Sequence, residues 1–127
     1  MTEFIQAGEV LIAFERAGDG PPLVLMHGAE ASRQMFASLM PFLARHFTVI
    51  AYDQRECGET QAPEKAATLE DLASDAQKFI RALDFKRAHV FGSSFGGRVA
   101  QALAILHPLT VDRLALASTW PLPRLYE

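Results

Sequence analysis

The chain has 127 residues, 50% hydrophobic and 21% charged, the composition of one globular unit of ordinary make-up. Its net charge of −3 argues against the basic footprint of a nucleic-acid or anionic-membrane partner, and no apolar run approaches the ~20 residues that span a bilayer. One cysteine, Cys57, excludes an intrachain disulfide, and with His27, His46, His89 and His107 it lacks metal-ligand spacing. The expectation is a cytoplasmic protein with no metal and no cofactor, starting at Met1-Thr2-Glu3-Phe4 without a secretory leader.

Residues 4–12 and 11–16 alternate enough to predict two strands about a turn at Gly8-Glu9. Asp19-Gly20-Pro21-Pro22 is loop punctuation. Leu23-Val24-Leu25-Met26 is the unbroken apolar run of a strand covered on both faces in a parallel sheet. A helix follows over residues 33–45, with a break or kink expected at Pro41. Residues 47–52 read as another buried strand, and 53–67 as a polar loop containing Gly58 and Pro63. Thr68, with Asp71 three positions on, opens the clearest helix with a capping box. Leu69, Leu72, Ala73, Ala76, Phe79, Ile80 and Leu83 fall on one face of a 3.6-residue period. Residues 88–93 form a short strand. Residues 95–106 form a helix apolar nearly all round, hence expected to be buried, and Pro108 stops it. Residues 113–117 read as one more buried strand, and the tail 121–127 has no periodicity. Strands alternating with helices imply an α/β fold, a mostly parallel sheet with helices on both faces.

Gly92-Ser93-Ser94-Phe95-Gly96 joins the fifth strand directly to its helix. In a Gly-x-Ser-x-Gly turn of this kind the serine sits on a bend so sharp that its hydroxyl projects from the sheet edge. Glycines at 92 and 96 flank it because side chains there would meet the neighbouring strand and helix. His27-Gly28 stands directly after one predicted strand, and Asp53-Gln54-Arg55-Glu56-Cys57-Gly58 directly after the next. The carboxyl ends of parallel strands share one edge, where ligands bind. Three polar or glycine-rich turns thus converge on one rim, and Ser94 is the candidate nucleophile.

In these motifs the sequence resembles the α/β-hydrolase superfamily, especially its cofactor-free esterase, lactonase and haloperoxidase-like members. The resemblance covers essentially the whole chain, from the leading strands through His27-Gly28 and the Asp53-x-Arg55-x-x-Gly58 loop to the elbow. It implies about six strands and three main helices, with Ser94 as the nucleophile of acyl transfer from a small ester or lactone. It also implies an oxyanion hole from the backbone N–H groups of Ala29 and Phe95. His27 and Gly28 would shape the rim, and Asp53 and Arg55 would brace it as a pair. Glu56 stands where the family's loop usually has glycine, and Thr60 where it has serine. The Asp53-Gln54-Arg55 run is similar to that of proline iminopeptidases, but their His-Gly-Gly-Pro-Gly turn is replaced by His27-Gly28-Ala29-Glu30-Ala31. Serine rather than aspartate at 94 argues against dehalogenase and epoxide-hydrolase chemistry, which passes through an alkyl ester of a carboxylate.

A serine hydroxyl needs a histidine to take its proton and a carboxylate to orient that histidine. In this family the order along the chain is serine, acid, histidine. After Ser94 come one histidine, His107, and two acids, Asp112 and Glu127. His107 lies roughly 20 Å along the helix at ~1.5 Å per residue, Asp112 opens the next strand at the opposite end of the sheet, and Ser118-Thr119-Trp120 holds no carboxylate. The expectation is that residues 1–127 are the N-terminal part of a single hydrolase domain, lacking the cap and last strands. The acid and base would then come from the C-terminal half of the same protein or from a second chain, and the strand over 111–117 would present an open edge. The alternative is a catalytically silent fragment that associates with a complement or with itself; within the fold, carbon–carbon bond hydrolysis or perhydrolysis is the other option. Ser93, His89 and His46 read as structural, Cys57 as inert, and Phe95 and Trp120 as packing or walls of an acyl pocket.

Overall fold

The computed structural model describes residues 1–122. Six strands make one sheet in the order β1-β2-β4-β3-β5-β6. β1 (Glu3–Ala7) and β2 (Val10–Ala17) form the predicted hairpin, with Ala7 opposite Val10. Gly8 turns it at φ +61, a left-handed conformation that glycine adopts without a Cβ penalty. β2 runs antiparallel to β4 (Thr48–Tyr52). β4, β3 (Pro22–Met26), β5 (Ala88–Ser93) and β6 (Val111–Ala117) are mutually parallel. Parallel neighbours require the chain to cross back over the sheet each time, so the carboxyl ends of β3, β4 and β5 emerge at one edge. His27, Asp53 and Ser94 are the residues that follow them.

The larger core lies where α2 (Leu69–Ala82) and α3 (Phe95–Leu106) cover one face of the sheet. Ala73, Ala76, Phe79 and Ile80 of α2 pack with Phe14, Tyr52, Val90, Val99 and Leu103, and the rings of Phe14 and Phe79 meet edge to face at 5.3 Å. The start of α2 is held as its sequence predicts. The Asp71 N–H donates to Thr68 Oγ1 at 3.1 Å, and the Thr68 N–H donates to the Asp71 carboxylate at 2.9 Å. The opposite face has a thinner cover, Phe36, Met40 and Leu43 over Leu25, Val49 and Ala51.

Three expectations change. Residues 33–45 form two short pieces, a 3-10 turn at Arg33–Phe36 and α1 (Met40–Leu43). Pro41 falls in the first turn of α1, where its missing N–H has no intrahelical partner to lose, so the chain breaks ahead of the proline. α3 is not buried all round: Ile105 and Leu106 are exposed, because packing takes up only the side bearing Val99, Ala100, Ala102 and Leu103. β6 is not buried either, with residues 112–116 exposed. It is the edge strand, and a groove of about 470 Å³ separates it from Leu39 and Leu43 on the thinly covered face. No described helix is long and apolar enough to cross a membrane. Among the described residues no group of three or more His, Cys, Asp and Glu is placed to hold a metal ion.

Candidate active site

β5 passes into α3 without a loop. Ser94 takes φ 54, ψ −119, a conformation that costs a non-glycine residue about 1–3 kcal/mol. Its surroundings hold it there. The Ser94 N–H donates to Ala117 O of β6 at 3.0 Å, and the Gly97 N–H donates to Ser94 O at 2.9 Å. The flanking glycines have a steric cause: a Cβ on Gly92 would lie 2.7 Å from Gly97 Cα, and one on Gly96 would lie 2.5 Å from His27 O. Gly92, Gly96 and Gly97 are buried while Ser94 is exposed. A rigid, closely packed base thus raises one hydroxyl above the sheet edge.

The turn after β3 lies against this bend, close enough that a Cβ on Gly28 would sit 3.6 Å from Ser94 Cβ. Phe95, the first residue of α3, has an N–H with no intrahelical acceptor at the positive end of the helix dipole. Gly28, Ala29 and Phe95 line a common cleft of about 250 Å³ with His27, Gln54, Arg55 and Cys57.

His27 is 1% exposed, and both its ring nitrogens are engaged. Nδ1 lies 2.8 Å from Gly28 O, which can only accept, and Nε2 lies 3.0 Å from the Gln54 N–H, which can only donate. The ring is therefore the neutral Nδ1–H tautomer. Burial pushes its pKa below the usual histidine range, because the low-dielectric interior disfavours the charged form. His27 shapes the turn and has no free lone pair to take the serine proton.

Asp53 and Arg55 brace the rim, but not as a pair. Asp53, fully buried, accepts from the backbone N–H of Arg33 at 2.7 Å, from the Arg33 guanidinium, and from the Glu59 N–H at 2.8 Å. Arg55 instead donates through Nε and a terminal nitrogen to both oxygens of Asp75, at 3.0 and 2.9 Å, and to Glu9 at 3.1 Å. Both residues lie past the end of β4, and each takes its partner from a different element, Asp53 from the 3-10 turn through Arg33 and Arg55 from α2 through Asp75. Arg33, Asp75 and Gln54 are supporting residues that sequence reasoning missed. Arg33 stands at the start of the helix predicted over 33–45 and Asp75 lies within α2; neither carries a local signal of its partner.

The remaining candidates lie away from the cleft. His107 caps the far end of α3. His89 packs edge-on against Phe47, with Nδ1 4.0 Å from Asp112 at the start of β6. Trp120 is exposed, and its carbonyl accepts from Gln101 Nε2 at 3.0 Å. It borders a shallow depression with Leu116 and Thr119 rather than the cleft that Phe95 lines. Cys57 is half-buried; burial, then the charges of Asp53 and Glu56, push its thiol pKa up, the direction that disfavours the thiolate. Glu127 lies outside the described residues.

A family model described as "alpha/beta hydrolase fold" matches residues 21–125. A fluoroacetate dehalogenase from Burkholderia sp is 33% identical over 128 residues, covering 97% of this chain and 42% of that protein. A 2-hydroxy-6-oxo-6-(2'-aminophenyl)hexa-2,4-dienoic acid hydrolase from Metapseudomonas resinovorans is 32% identical, covering 89% and 40%. The solved structure of the enol-lactonase from Burkholderia xenovorans LB400 superposes with a TM-score of 0.87 at 29% identity, covering 92% of this chain and 46% of that one. The chain spans about two fifths of the length of the curated relatives it matches.

Proposed function

The chain belongs to the alpha/beta hydrolase fold family, and from that premise we propose that it carries the nucleophile of a serine hydrolase acting on a small carboxylic ester or lactone. The observation that carries this reading is the exposed Ser94 at φ 54 on the first turn of α3, against the 27–29 turn. Ser94 Oγ attacks the carbonyl carbon as its proton passes to a histidine. The carbonyl electrons move onto the oxygen, which accepts hydrogen bonds from the Phe95 and Ala29 N–H groups, each worth about 2.7–4 kcal/mol at the transition state. Collapse expels the alcohol, which takes the proton back, and water then cleaves the acyl-enzyme by the same steps in reverse. His27 is engaged at both nitrogens, so the base and its orienting acid come from polypeptide beyond the described residues. Residues 1–127 are on this reading the N-terminal part of one hydrolase domain, working in the cytoplasm.

Serine at 94 favours carbonyl over saturated carbon. Displacement at saturated carbon would leave a serine ether, which no carbonyl chemistry can cleave, whereas an acyl-serine is an ester that water can hydrolyse. The likeness to an enol-lactonase structure supports the lactone as one substrate form. The test is labelling by a fluorophosphonate with the completing polypeptide present. The label is expected on Ser94 and lost in Ser94→Ala; a label elsewhere with none on 94 overturns the assignment.

A second reading concerns the chain on its own. The exposed β6 edge and the groove beside it favour a 127-residue chain that is silent until a complementary polypeptide covers that edge, because an unpaired strand is a template for pairing. Strong ester turnover by the purified chain alone, running as a monomer on a sizing column, would contradict it.

A further inference from the structure

Resting on Ser94 as an acyl-transfer nucleophile, we infer that Ser118, the residue after β6, is a positioning residue for it. Ser118 acts through the carbonyl of Ala117, and Gln101 is the clamp that keeps it in place. Ser93 and Ala117 are the last residue pair of the parallel strands β5 and β6. The next residue on each strand turns the chain, and both take a left-handed φ, 54 at Ser94 and 53 at Ser118. Non-glycine residues adopt that region uncommonly, so two such bends side by side call for a common cause.

The two bends are tied together. The Ser94 N–H donates to Ala117 O at 3.0 Å. That oxygen belongs to the peptide joining Ala117 to Ser118. Because a peptide is planar, ψ of Ala117 and φ of Ser118 together set where the oxygen points. Ser118 is exposed, so burial of its own side chain does not impose the bend. It is imposed from both sides instead. On one side, Ala117 is fixed by its pairing with β5. On the other, Thr119 closes on α3, where a Cβ on Gly97 would lie 2.6 Å from Thr119 Cγ2. Gln101 Nε2 donates to Gly97 O at 3.1 Å and to Trp120 O at 3.0 Å, and Gln101 Oε1 accepts from the Leu122 N–H at 3.2 Å.

With Ala117 and the 119–122 segment both held, Ser118 can leave its left-handed φ only by rotating the 117–118 peptide. That rotation swings the Ala117 oxygen away from the Ser94 N–H. Ser94, itself at φ 54, then loses a bond that holds its bend, and its hydroxyl shifts relative to the carbonyl it attacks. A misplacement of ~1 Å costs about 100-fold in rate. The residue type at 118 therefore matters through its backbone preference and not through its hydroxyl. Glycine has no Cβ penalty at that φ, asparagine is enriched there, and a β-branched residue is an outlier. Gln101, Ser118 and Thr119 border a depression of their own rather than the cleft lined by Ala29 and Phe95, so the effect falls on kcat and not on KM.

The test measures kcat and KM on para-nitrophenyl acetate, and the rate of fluorophosphonate labelling at Ser94, with the enzyme assembled with the polypeptide that completes its site. Ser118→Val is expected to lower kcat and the labelling rate by about tenfold to 100-fold at unchanged KM. Ser118→Gly and Ser118→Asn, which lack the hydroxyl but accept the left-handed φ, are expected to keep both rates near those of the parent. If Ser118→Val does not fold, Gln101→Met takes its place. Methionine has a similar length and makes none of the three hydrogen bonds, so the same fall in kcat at unchanged KM is expected. Parent-like rates in Ser118→Val, or in Gln101→Met where it stands in, overturn the inference. So does a loss in Ser118→Gly and Ser118→Asn as deep as in Ser118→Val, which would give the role to the hydroxyl, and so does an effect confined to KM. Ester turnover that survives Ser94→Ala overturns the acyl-enzyme reading instead, and the two failures are read from different variants.

Discussion

Gln54 donates two hydrogen bonds to His27, one from backbone to side chain and one from side chain to backbone. The Gln54 backbone N–H donates to His27 Nε2 at 3.0 Å, and the Gln54 side-chain amide donates to His27 O at 2.7 Å. Together they bolt the turn after β3 to the turn after β4, and His27 O also lies where a Cβ on Gly96 would fall. Ala29, two residues on, is positioned against the elbow by this clamp.

Replacing Gln54 by leucine keeps the backbone bond and strands the His27 carbonyl in a buried site. The expected loss is about 1–3 kcal/mol of stability, read as a lower urea midpoint at unchanged slope. A midpoint equal to that of the parent protein would show that the side-chain bond contributes nothing.

His27 also makes stability depend on pH. Burial holds its folded pKa below the unfolded value, so between the two the unfolded chain binds more protons and stability rises with pH. The contribution is complete above about pH 6.5, the unfolded histidine value, and is lost as pH falls through the folded pKa. Urea midpoints between pH 7.5 and 5 should therefore fall more steeply in the parent protein than in His27→Gln.

Ser94 is strained for the sake of its hydroxyl. Ser94→Gly removes the Cβ that makes φ 54 unfavourable, a relief of about 1–3 kcal/mol set against the greater freedom glycine has when unfolded, about 0.5–1 kcal/mol. The variant is expected to unfold at higher urea than the parent while losing all fluorophosphonate labelling. Destabilisation would mean that the hydroxyl makes a contact the fold depends on.

The buried pair of Arg33 and Asp53, with side chains 3% and 0% exposed, should show strong coupling. Asp53→Ala leaves a guanidinium without its buried partner and is expected to cost about 3–5 kcal/mol. Arg33→Ala strips Asp53 of its charge partner with similar effect. The double variant should lose less than the sum of the two, by about 0.5–3 kcal/mol. Strict additivity in a double-mutant cycle would show that the pair acts independently.

Much of the fold was legible because its signals are local. The capping residues of α2, its apolar face and the hairpin turn at Gly8 each follow from a few adjacent positions. The elbow is legible for the same reason, since Gly92 and Gly96 answer steric demands a few residues away. Over 33–45 the expected interruption is present but falls ahead of Pro41, because a proline is tolerated in the first turn of a helix and so opens the second piece. β6 was misread because an apolar run reports an affinity for burial, and whether burial occurs depends on what else packs there.

The sequence by itself determined the order of strands and helices, the sharp bend at Ser94 and the gathering of three turns on one rim. Those follow from backbone conformations that particular residues allow and from the two periods of strand and helix. Only the tertiary structure decided that Asp53 answers to Arg33, that Arg55 answers to Asp75, and that His27 has no lone pair to offer. Charge partners here are 20 positions apart in the chain, and a carboxylate is drawn to whichever cation the packing brings within reach, which no local pattern encodes.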